Sequence, residues 1–326
     1  MRAAVSKYKS QKGIALLMVL LVIVMMVLLT TRLSSQLGLD ISRVSDVQAQ
    51  SNNWQRLLSG EALGVAVLHK DLKKSQRLSR KQDWAKSGIN LPIDGGTIKG
   101  RIVDMESCFN LNAMHQPTNS NNGSMVETLF LRLLLVEKIP FSQARAIAAA
   151  TKDWIDSGQH TSQYGAEDNA YQKAGYRTAD SYLVSVSQWR EVRGVTAKIY
   201  KKVSPLLCAI PSERLSIDIN TLTMNKAPLL QMLFYGYLDR HGAIKIIQRR
   251  PRDGFHQVLQ ILSNPELASA RLDKGVIRVM VLTSRYFQIE LHASSPQGLQ
   301  SSLYSLVYRK SVANFKVVRR TLGDWY

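Results

Sequence analysis

An uncharged apolar run near the N-terminus constrains this chain more than any other feature. The run extends from Ile14 to Thr31, and the residues from Met1 to Lys12 hold four basic side chains and no acidic one. At about 1.5 Å per helical residue the run is about 27 Å long, close to the hydrocarbon thickness of a bilayer. It therefore predicts one transmembrane segment at 14–31. Because basic flanks stay in the cytoplasm, the C-terminal bulk is expected on the far side of the membrane.

Three kinds of N-terminal segment fit this pattern. A cleaved secretory signal has a short apolar core and a small-residue cleavage site after it, whereas TRLSSQLGLD follows the run here. A signal anchor that is kept whole fits the same physics. In a prepilin leader the cut falls before the apolar segment, and Gly13, between Lys12 and Ile14, is placed for that cut. Residues 1–13 would then be a leader, and the helix would be retained.

Beyond Arg32 the chain alternates between helical and extended patterns. Apolar residues three to four apart continue the first helix, and a mostly helical stretch later interrupts the predicted strands. These strands are predicted at 97–112, 215–222, 276–282, 286–292, 303–309 and 315–320. An α+β fold with an α-helical domain inserted into a strand-rich head explains this order. The expected parts are the helix continuation with the first strands at 32–112, the inserted domain at 113–207 and the remainder of the head at 208–326.

The overall composition leaves several ligand classes open. Hydrophobic residues make up 45% of the chain, which is enough for a packed core. The formal net charge is +19, which suggests nucleic acid, anionic lipid or an acidic partner. The basic residues are dispersed, so a basic surface without a ligand is the alternative. Cys108 and Cys208 are the only cysteines, too few for a four-cysteine metal cage but sufficient for one disulfide in an oxidising compartment.

The segment from Asp153 to Asp168 collects four carboxylates in a polar, loop-like stretch. These are Asp153, Asp156, Glu167 and Asp168. Calcium takes six to eight oxygen ligands from flexible loops, and this composition can supply them, although the spacing is not that of an EF-hand. The alternative is that these groups cap helix ends and carry solvated charge.

The stretch from Trp189 to Tyr200 has the pattern of a helix–hairpin–helix with Gly194 in its turn. Such turns can present backbone N–H groups to a DNA phosphate, so a membrane-anchored DNA-binding or uptake protein is the alternative function. A single glycine in the turn instead favours a packing role inside a small helical domain. Catalysis finds no support, because the six histidines are scattered and the chain contains no hydrolase, metalloprotease or phosphate-loop motif.

Six collinear segments carry a resemblance to a known family. They are KGIALLMVLLVIV at the apolar run, SCFNLNAM at 107–114, DWID at 153–156, YGAEDNAY at 164–171, SVSQWREVRGV at 185–195 and CAIPSERLSIDINTL at 208–222. Together they resemble the minor pseudopilin K family of type II secretion systems. The resemblance implies a pilin-like fold with a long N-terminal helix, transmembrane in its first half, an antiparallel sheet head and an inserted all-α domain.

The same resemblance implies a structural role in protein export and no enzymatic activity. Such a subunit belongs to a short periplasmic pseudopilus, and one membrane span anchors it in the bacterial inner membrane with its N-terminus in the cytoplasm. The implied partners are other minor pseudopilins, the prepilin peptidase, the inner-membrane secretion platform and the secretin or secreted substrates, with no nucleic acid expected. Cleavage after Gly13, methylation of Ile14 and calcium in the inserted domain are also implied.

A periplasmic head makes a Cys108–Cys208 disulfide the expected state, because disulfides persist in that compartment. The two cysteines flank the expected inserted domain, so a bridge would hold both of its ends. Two separate buried thiols are the alternative.

Met18 is the fifth residue counted from Ile14. Most pilin-like subunits have a glutamate there, which is thought to meet the positive N-terminus of a neighbouring subunit during assembly. A methionine makes no such pair, so this subunit is expected to lead a filament from its tip. The alternative is that Met18 is an ordinary transmembrane residue in a protein that never enters a filament.

Overall fold

The computed structural model describes residues 12–86, 88–93, 96–115, 121–271, 273–296 and 298–323. Most of the expected leader, residues 1–11, lies outside that range. Helix α1 (Lys12–Lys74) runs unbroken for 63 residues. Its first half carries exposed apolar residues, and its second half buries one face, including Leu57, Leu68 and Leu72. The helix therefore continues from the apolar run into the folded head, as the apolar spacing predicts.

The head is built on one antiparallel five-stranded sheet. With strands numbered in chain order, it contains β1 (Ile89–Ile93), β2 (Gly96–Asp104), β7 (Tyr286–Ser294), β8 (Gln300–Ser311) and β9 (Asn314–Leu322). The spatial order is β1-β2-β7-β8-β9, so β2 pairs directly with a strand about 180 residues later. All the chain between β2 and β7 is therefore inserted between two neighbouring strands.

Helix α1 packs closely on one face of this sheet. Leu57 of the helix shares an apolar core with Ile289 and Leu291 of β7. A Cβ atom at Gly64 would lie only 2.9 Å from Cδ1 of Ile289, and one at Gly60 would lie 3.1 Å from Leu291. Each glycine lowers helix stability by about 1 kcal/mol relative to alanine. Here both glycines allow the helix to approach the sheet.

The inserted part is mainly helical. Its helices are α2 (Asn121–Val136), α3 (Phe141–Ile155), α4 (Asp168–Tyr171), α5 (Ala197–Val203), α6 (Ala227–Leu233), α7 (Arg240–Arg249) and α8 (Lys274–Val279). Two short parallel pairs join β3 (Phe109–Asn110) to β4 (Leu207–Cys208) and β5 (Ile217–Asp218) to β6 (Met280–Val281). One apolar core extends through this unit, from Phe109 to Met280.

The boundary expected at residue 207 differs from the structure. Residues 208–280 share their core with the helices before them, and the main sheet resumes only at Tyr286. The segment LSIDINTL at 215–222 contributes just the two-residue strand β5, while its apolar side chains are buried between helices. Alternation in a short segment does not distinguish a sheet strand from an extended connection inside a helical core. The insertion is therefore larger than predicted.

The predicted Cys108–Cys208 disulfide is present at the junction between the sheet head and the insertion. The two Cα atoms lie 5.8 Å apart, and Cys208 pairs in register with Asn110 next to the bridge. The disulfide fixes the start of the insertion to its midpoint rather than to its end, because the insertion continues to about residue 285.

Three buried carboxyl groups lie beside this junction. Asp104 ends β2 and accepts hydrogen bonds from the Thr221 hydroxyl and the Glu106 N–H. Asp218 accepts a hydrogen bond from the Ser284 hydroxyl at 3.2 Å, and its N–H donates to the Glu106 carbonyl at 2.8 Å. Burial raises the pKa of Asp218, and the neighbouring Asp104 raises it further. The group joins the sheet to the insertion by side-chain hydrogen bonds.

Candidate functional site

The first functional element is the N-terminal half of α1. It is the one helix in the described part of the chain that is long and apolar enough to cross a membrane, and none of its most apolar window is buried. Buried core helices also pass a composition test of this kind, but their apolar residues are covered by protein. The exposed side chains of this segment therefore agree with a single-pass membrane anchor.

The residues expected to take part in processing and assembly lie on this exposed helix. Ile14 and Met18 are exposed by 61% and 66%. A Cβ atom at Gly13 would meet no described residue within 4 Å. The fold itself therefore does not require glycine at position 13.

The second functional element is an acidic cluster at the C-terminal end of α3. Asp153 is completely buried there, and its Oδ2 accepts a hydrogen bond from the Ser162 N–H at 3.0 Å, whereas its Oδ1 has no hydrogen-bond partner in the described ranges. A Cβ atom at Gly165 would lie 1.9 Å from the same Oδ2. The loop after α3 thus folds back over Asp153, and only glycine at position 165 leaves room for the carboxylate.

Glu167 is the other buried member of the cluster. Its side chain is almost fully covered, and neither carboxylate oxygen has a hydrogen-bond partner among the described residues. Burial, followed by the negative charges of Asp153, Asp156, Asp180 and Asp168, raises the pKa of Glu167 to about 7. Burial also raises the pKa of Asp156, with smaller contributions from its acidic neighbours. Lys152 partly offsets this negative charge at Asp156, and Arg177 lies 3.9 Å from Asp168, but no basic side chain in the described ranges forms an ion pair with Asp153, Asp156, Glu167 or Asp180.

Asp168 does not have the role expected of it, and Asp180 joins the cluster in its place. Asp168 accepts hydrogen bonds from the N–H and hydroxyl of Thr178, at 3.0 and 2.7 Å, and these bonds lower its pKa. Asp180 was not among the expected ligands. Its Oδ2 accepts a hydrogen bond from Gln159, whereas its buried Oδ1 has no hydrogen-bond partner among the residues that the structure describes. Its backbone is left-handed, with φ of 46°. The structure thus brings Asp153, Asp156, Glu167 and Asp180 together, whereas the Asp168 carboxylate is held by its hydrogen bonds with Thr178.

The cluster has the chemistry of a site for a hard divalent cation. Four buried carboxylate oxygens, on Asp153, Glu167 and Asp180, lack hydrogen-bond partners within the part of the chain that the structure describes. Calcium prefers such oxygen ligands and would cancel their mutual repulsion. As placed, no three acidic, histidine or cysteine side chains in the described ranges converge closely enough to hold an ion. Binding would therefore require these side chains to move toward a common centre.

The helix–hairpin–helix segment has its key residues inside the helical domain. Trp189 is completely buried and donates from its indole N–H to the Thr151 hydroxyl at 3.0 Å. Gly194 has φ of 89°, and a Cβ atom there would lie 3.0 Å from Ile147. The Arg193 guanidinium donates to the Gly165 carbonyl at 2.7 Å. The turn therefore packs against α3 and supports the loop of the acidic cluster, as the packing interpretation predicts.

Sequence comparison identifies relatives of the whole chain. Two family models, both described as Type II secretion system (T2SS), protein K, match residues 107–212 and 217–280. The type II secretion system protein K of Pectobacterium carotovorum subsp. carotovorum is 34% identical over 97% of this chain and 97% of its own length. The protein of the same name from Aeromonas hydrophila is 31% identical over 87% of this chain and 89% of its own.

Structural comparison gives the same result. A chain in the crystal structure of the GspK-GspI-GspJ complex from the enterotoxigenic Escherichia coli type 2 secretion system superposes with a TM-score of 0.78. It is 28% identical, and the match covers 86% of this chain and 99% of that one. The two family matches together cover most of the insertion, whose apolar core extends from Phe109 to Met280. The chain belongs to the type II secretion system protein K family.

Proposed function

We propose that this protein is a minor pseudopilin that sits at the tip of a type II secretion pseudopilus and helps to export folded proteins across the outer membrane. The observation that carries the proposal is the continuity of α1, which leads without a break from an exposed apolar segment into a folded head. In this arrangement the N-terminus is cytoplasmic, the apolar segment lies in the inner membrane and the head is periplasmic. The role is structural, not enzymatic.

Two features support a position at the tip. Met18 cannot form the pair that a buried glutamate would make with the N-terminus of a neighbouring subunit, so the protein is poorly suited to joining a filament from below. The insertion between β2 and β7 spans about 180 residues. Repeated copies of so large a domain would collide along a thin shaft. A tip subunit is expected to contact other minor pseudopilins, because the related crystal structure contains GspK, GspI and GspJ together.

We expect the contact with these partners on the exposed part of α1 between the membrane segment and the head. Ile41, Val44 and Val47 are apolar, lie beyond the expected membrane segment and are each exposed by more than 65%. Apolar helix faces of this kind bury their surface against other helices. The prepilin peptidase and the inner-membrane platform would act on the same helix at its membrane end.

Crosslinking in cells tests the proposal. A photoreactive amino acid at Val44 should trap another pilin-like subunit, whereas the same probe at Lys173, which is exposed on the helical domain, should not trap it. Failure to trap any pilin-like partner from Val44 would contradict assembly. Immunolabelling that finds the protein at regular intervals along filaments would contradict the tip position.

We also propose that the acidic cluster binds calcium through Asp153, Asp156, Glu167 and Asp180. The proposal rests on the unpartnered buried oxygens of this cluster and on the raised pKa of Glu167. A bound ion would tie the end of α3 to the loop that contains Glu167 and Asp180. These residues would hold the ion, and its part would be to neutralise their charge and fix the loop.

A further inference from the structure

The four basic residues before Gly13 account for only a small part of the net charge of +19, and neither membrane anchoring nor subunit assembly accounts for the remainder. Two separate segments contribute strongly to it. Residues 70–81 and 245–256 together contain ten lysine or arginine residues and two aspartates. The first segment covers the last turn of α1 and the connection after it, and the second covers the end of α7 and its following loop.

The fold brings these two segments together around a shared backbone framework. Lys81 of the first segment lies 3.5 Å from Asp253 of the second. The Leu78 N–H donates to the Leu282 carbonyl, and the adjacent Val281 carbonyl accepts from Ile219. Arg250 of the second segment donates to the Ile219 carbonyl at 3.0 Å. Both segments thus flank residues 219 and 281–282. We call the four exposed basic residues of these segments that form no ion pair with a described residue, Lys73, Lys74, Arg80 and Arg252, the basic rim.

The basic rim is not neutralised within the described residues. Asp71 is buried and accepts a hydrogen bond from the Trp84 N–H, and Asp253 already pairs with Lys81. All four rim residues are exposed, and no acidic group in the described ranges forms an ion pair with any of them. Burial and then the positive charge of Arg80 lower the pKa of Arg250 to about 10. The surface therefore concentrates unopposed positive charge.

Its position excludes the inner membrane as the partner. The rim begins at the end of α1 opposite the apolar segment, and the 43 residues between Thr31 and Lys74 span about 65 Å of helix. This distance is several times the screening length of about 8 Å at physiological ionic strength, so lipid headgroups at the anchor do not attract the rim. On the orientation proposed above, the rim faces away from the inner membrane.

We infer that the basic rim is a docking surface for an acidic, carboxylate-rich protein surface on the outer-membrane side of the pseudopilus tip. This inference rests on the proposed function, because the orientation of the head sets which components the rim can reach. A carboxylate-rich partner would gain charge complementarity with four basic groups. Such complementarity mainly speeds association and suppresses wrong partners, which suits repeated, transient contacts at a moving tip.

Binding of a defined polyanion tests the chemistry of the rim. The purified full chain in detergent would be titrated with poly-L-glutamate and, separately, with phosphatidylglycerol vesicles. The rim variant Lys73→Gln, Lys74→Gln, Arg80→Gln would be compared with a matched variant of three exposed lysines elsewhere, Lys173→Gln, Lys198→Gln, Lys201→Gln. We expect the rim variant to bind poly-L-glutamate about fivefold more weakly than the matched variant. A second rim variant, Arg80→Gln with Arg252→Gln, changes no residue of α1 and should show the same direction.

Three results would overturn the inference. Equal losses in the rim and matched variants would show an effect of net charge alone. A rim-dependent loss of binding to the phosphatidylglycerol vesicles would identify a lipid surface in place of a protein. Unchanged binding by both rim variants would show that the rim binds no carboxylates. In cells, the rim variant should keep the Val44 crosslink to other pilin-like subunits while secretion falls, and loss of that crosslink in the unsubstituted protein would instead contradict the proposed assembly.

Discussion

At the scale of single residues, Glu106 links folding to pH. Burial and then the negative charge of Asp104 raise the pKa of Glu106 to about 8 in the folded protein, against an ordinary value of 4.5. A folded-state pKa above the unfolded value means that the folded protein binds this proton more tightly. The resulting stabilisation is fully present below about pH 4.5 and is lost as the pH rises through about 8.

Substitution of Glu106 by glutamine should remove part of this dependence. The variant should unfold less readily than the wild type at pH 8, by up to a few kcal/mol, and the difference should shrink toward pH 5. Chemical denaturation at constant calcium between pH 5 and 8 measures both slopes. Asp46→Asn, on the exposed part of α1, is the control and should leave the slope unchanged. Parallel slopes for the wild type and Glu106→Gln would contradict the prediction.

Gly13 offers a second test at this scale. The leader should be cut after Gly13, which leaves a methylated Ile14 as the N-terminus of envelope-derived protein. A Cβ atom at position 13 meets nothing in the fold, so Gly13→Leu should block processing through the peptidase while the head still folds. Intact mass spectrometry reads the N-terminus, and the disulfide-linked head serves as the folding control. A wild-type N-terminus at Met1, or beyond Thr31, would refute the cleavage.

The acidic residues of the proposed calcium site show what the sequence can and cannot indicate. The concentration of Asp153, Asp156 and Glu167 at the end of α3 and in the following loop is visible as composition. The bond between Asp168 and Thr178 depends on how the loop folds, and so does the approach of Asp180, twelve residues beyond Asp168. In the sequence, the only indication for Asp180 is that it lies in a polar stretch rich in turn-forming residues. Composition therefore located the cluster but not its full set of members.

At the scale of elements, the loop after α3 should depend on calcium for its stability. Calcium at 100 times its dissociation constant would add about 2.7 kcal/mol to the free energy of unfolding, and a chelator should remove this gain. Asp180→Asn should abolish most of the calcium response, whereas Asp168→Asn should retain it. In chelator, Asp180→Asn should melt no lower than the wild type, because it removes one of several like charges.

Melting curves and calorimetric titration of the full chain with calcium measure these effects. A wild-type melting temperature that is the same in calcium and in chelator, together with no metal in the purified protein, would exclude the site. Loss of the response in Asp168→Asn but not in Asp180→Asn would return the ligand set to the one that the sequence suggests.

Elements with long-range periodicity were the most predictable. The first helix, the strands that form β7, β8 and β9, and the helical character of the insertion all follow from apolar spacing. The segments at 215–222 and 276–282 were predicted as strands of the head. Instead, 215–222 contributes only the two-residue strand β5, and 276–282 forms the end of α8 followed by the two-residue strand β6. Both segments lie within the insertion. Short apolar stretches of this kind take their structure from the core around them, which a single sequence does not specify.

At the scale of the whole molecule, the disulfide should contribute strongly to stability. Cys108 and Cys208 close a loop with a sequence separation of 100, for which chain entropy predicts up to about 4.7 kcal/mol. Replacing both with serine should lower the free energy of unfolding of the helical domain more than that of the sheet head. Denaturation followed by tryptophan fluorescence, with peptide mapping without reductant as the control, measures this. Two free thiols in the native protein would contradict the bridge.

Because α1 is unbroken, it also sets the rotation of the head about the helix axis relative to the membrane anchor. Each residue of an α-helix advances about 1.5 Å and turns about 100°, so the exposed stretch between Leu33 and Val47 fixes the azimuth of the head relative to the anchor. Deleting one residue there would shift the height of the head very little yet point the basic rim and the helical domain in another direction. Deleting seven would shorten the stalk by about 10 Å and restore the direction to within about 20°. This part of α1 thus determines the direction in which the head points as well as its height above the membrane.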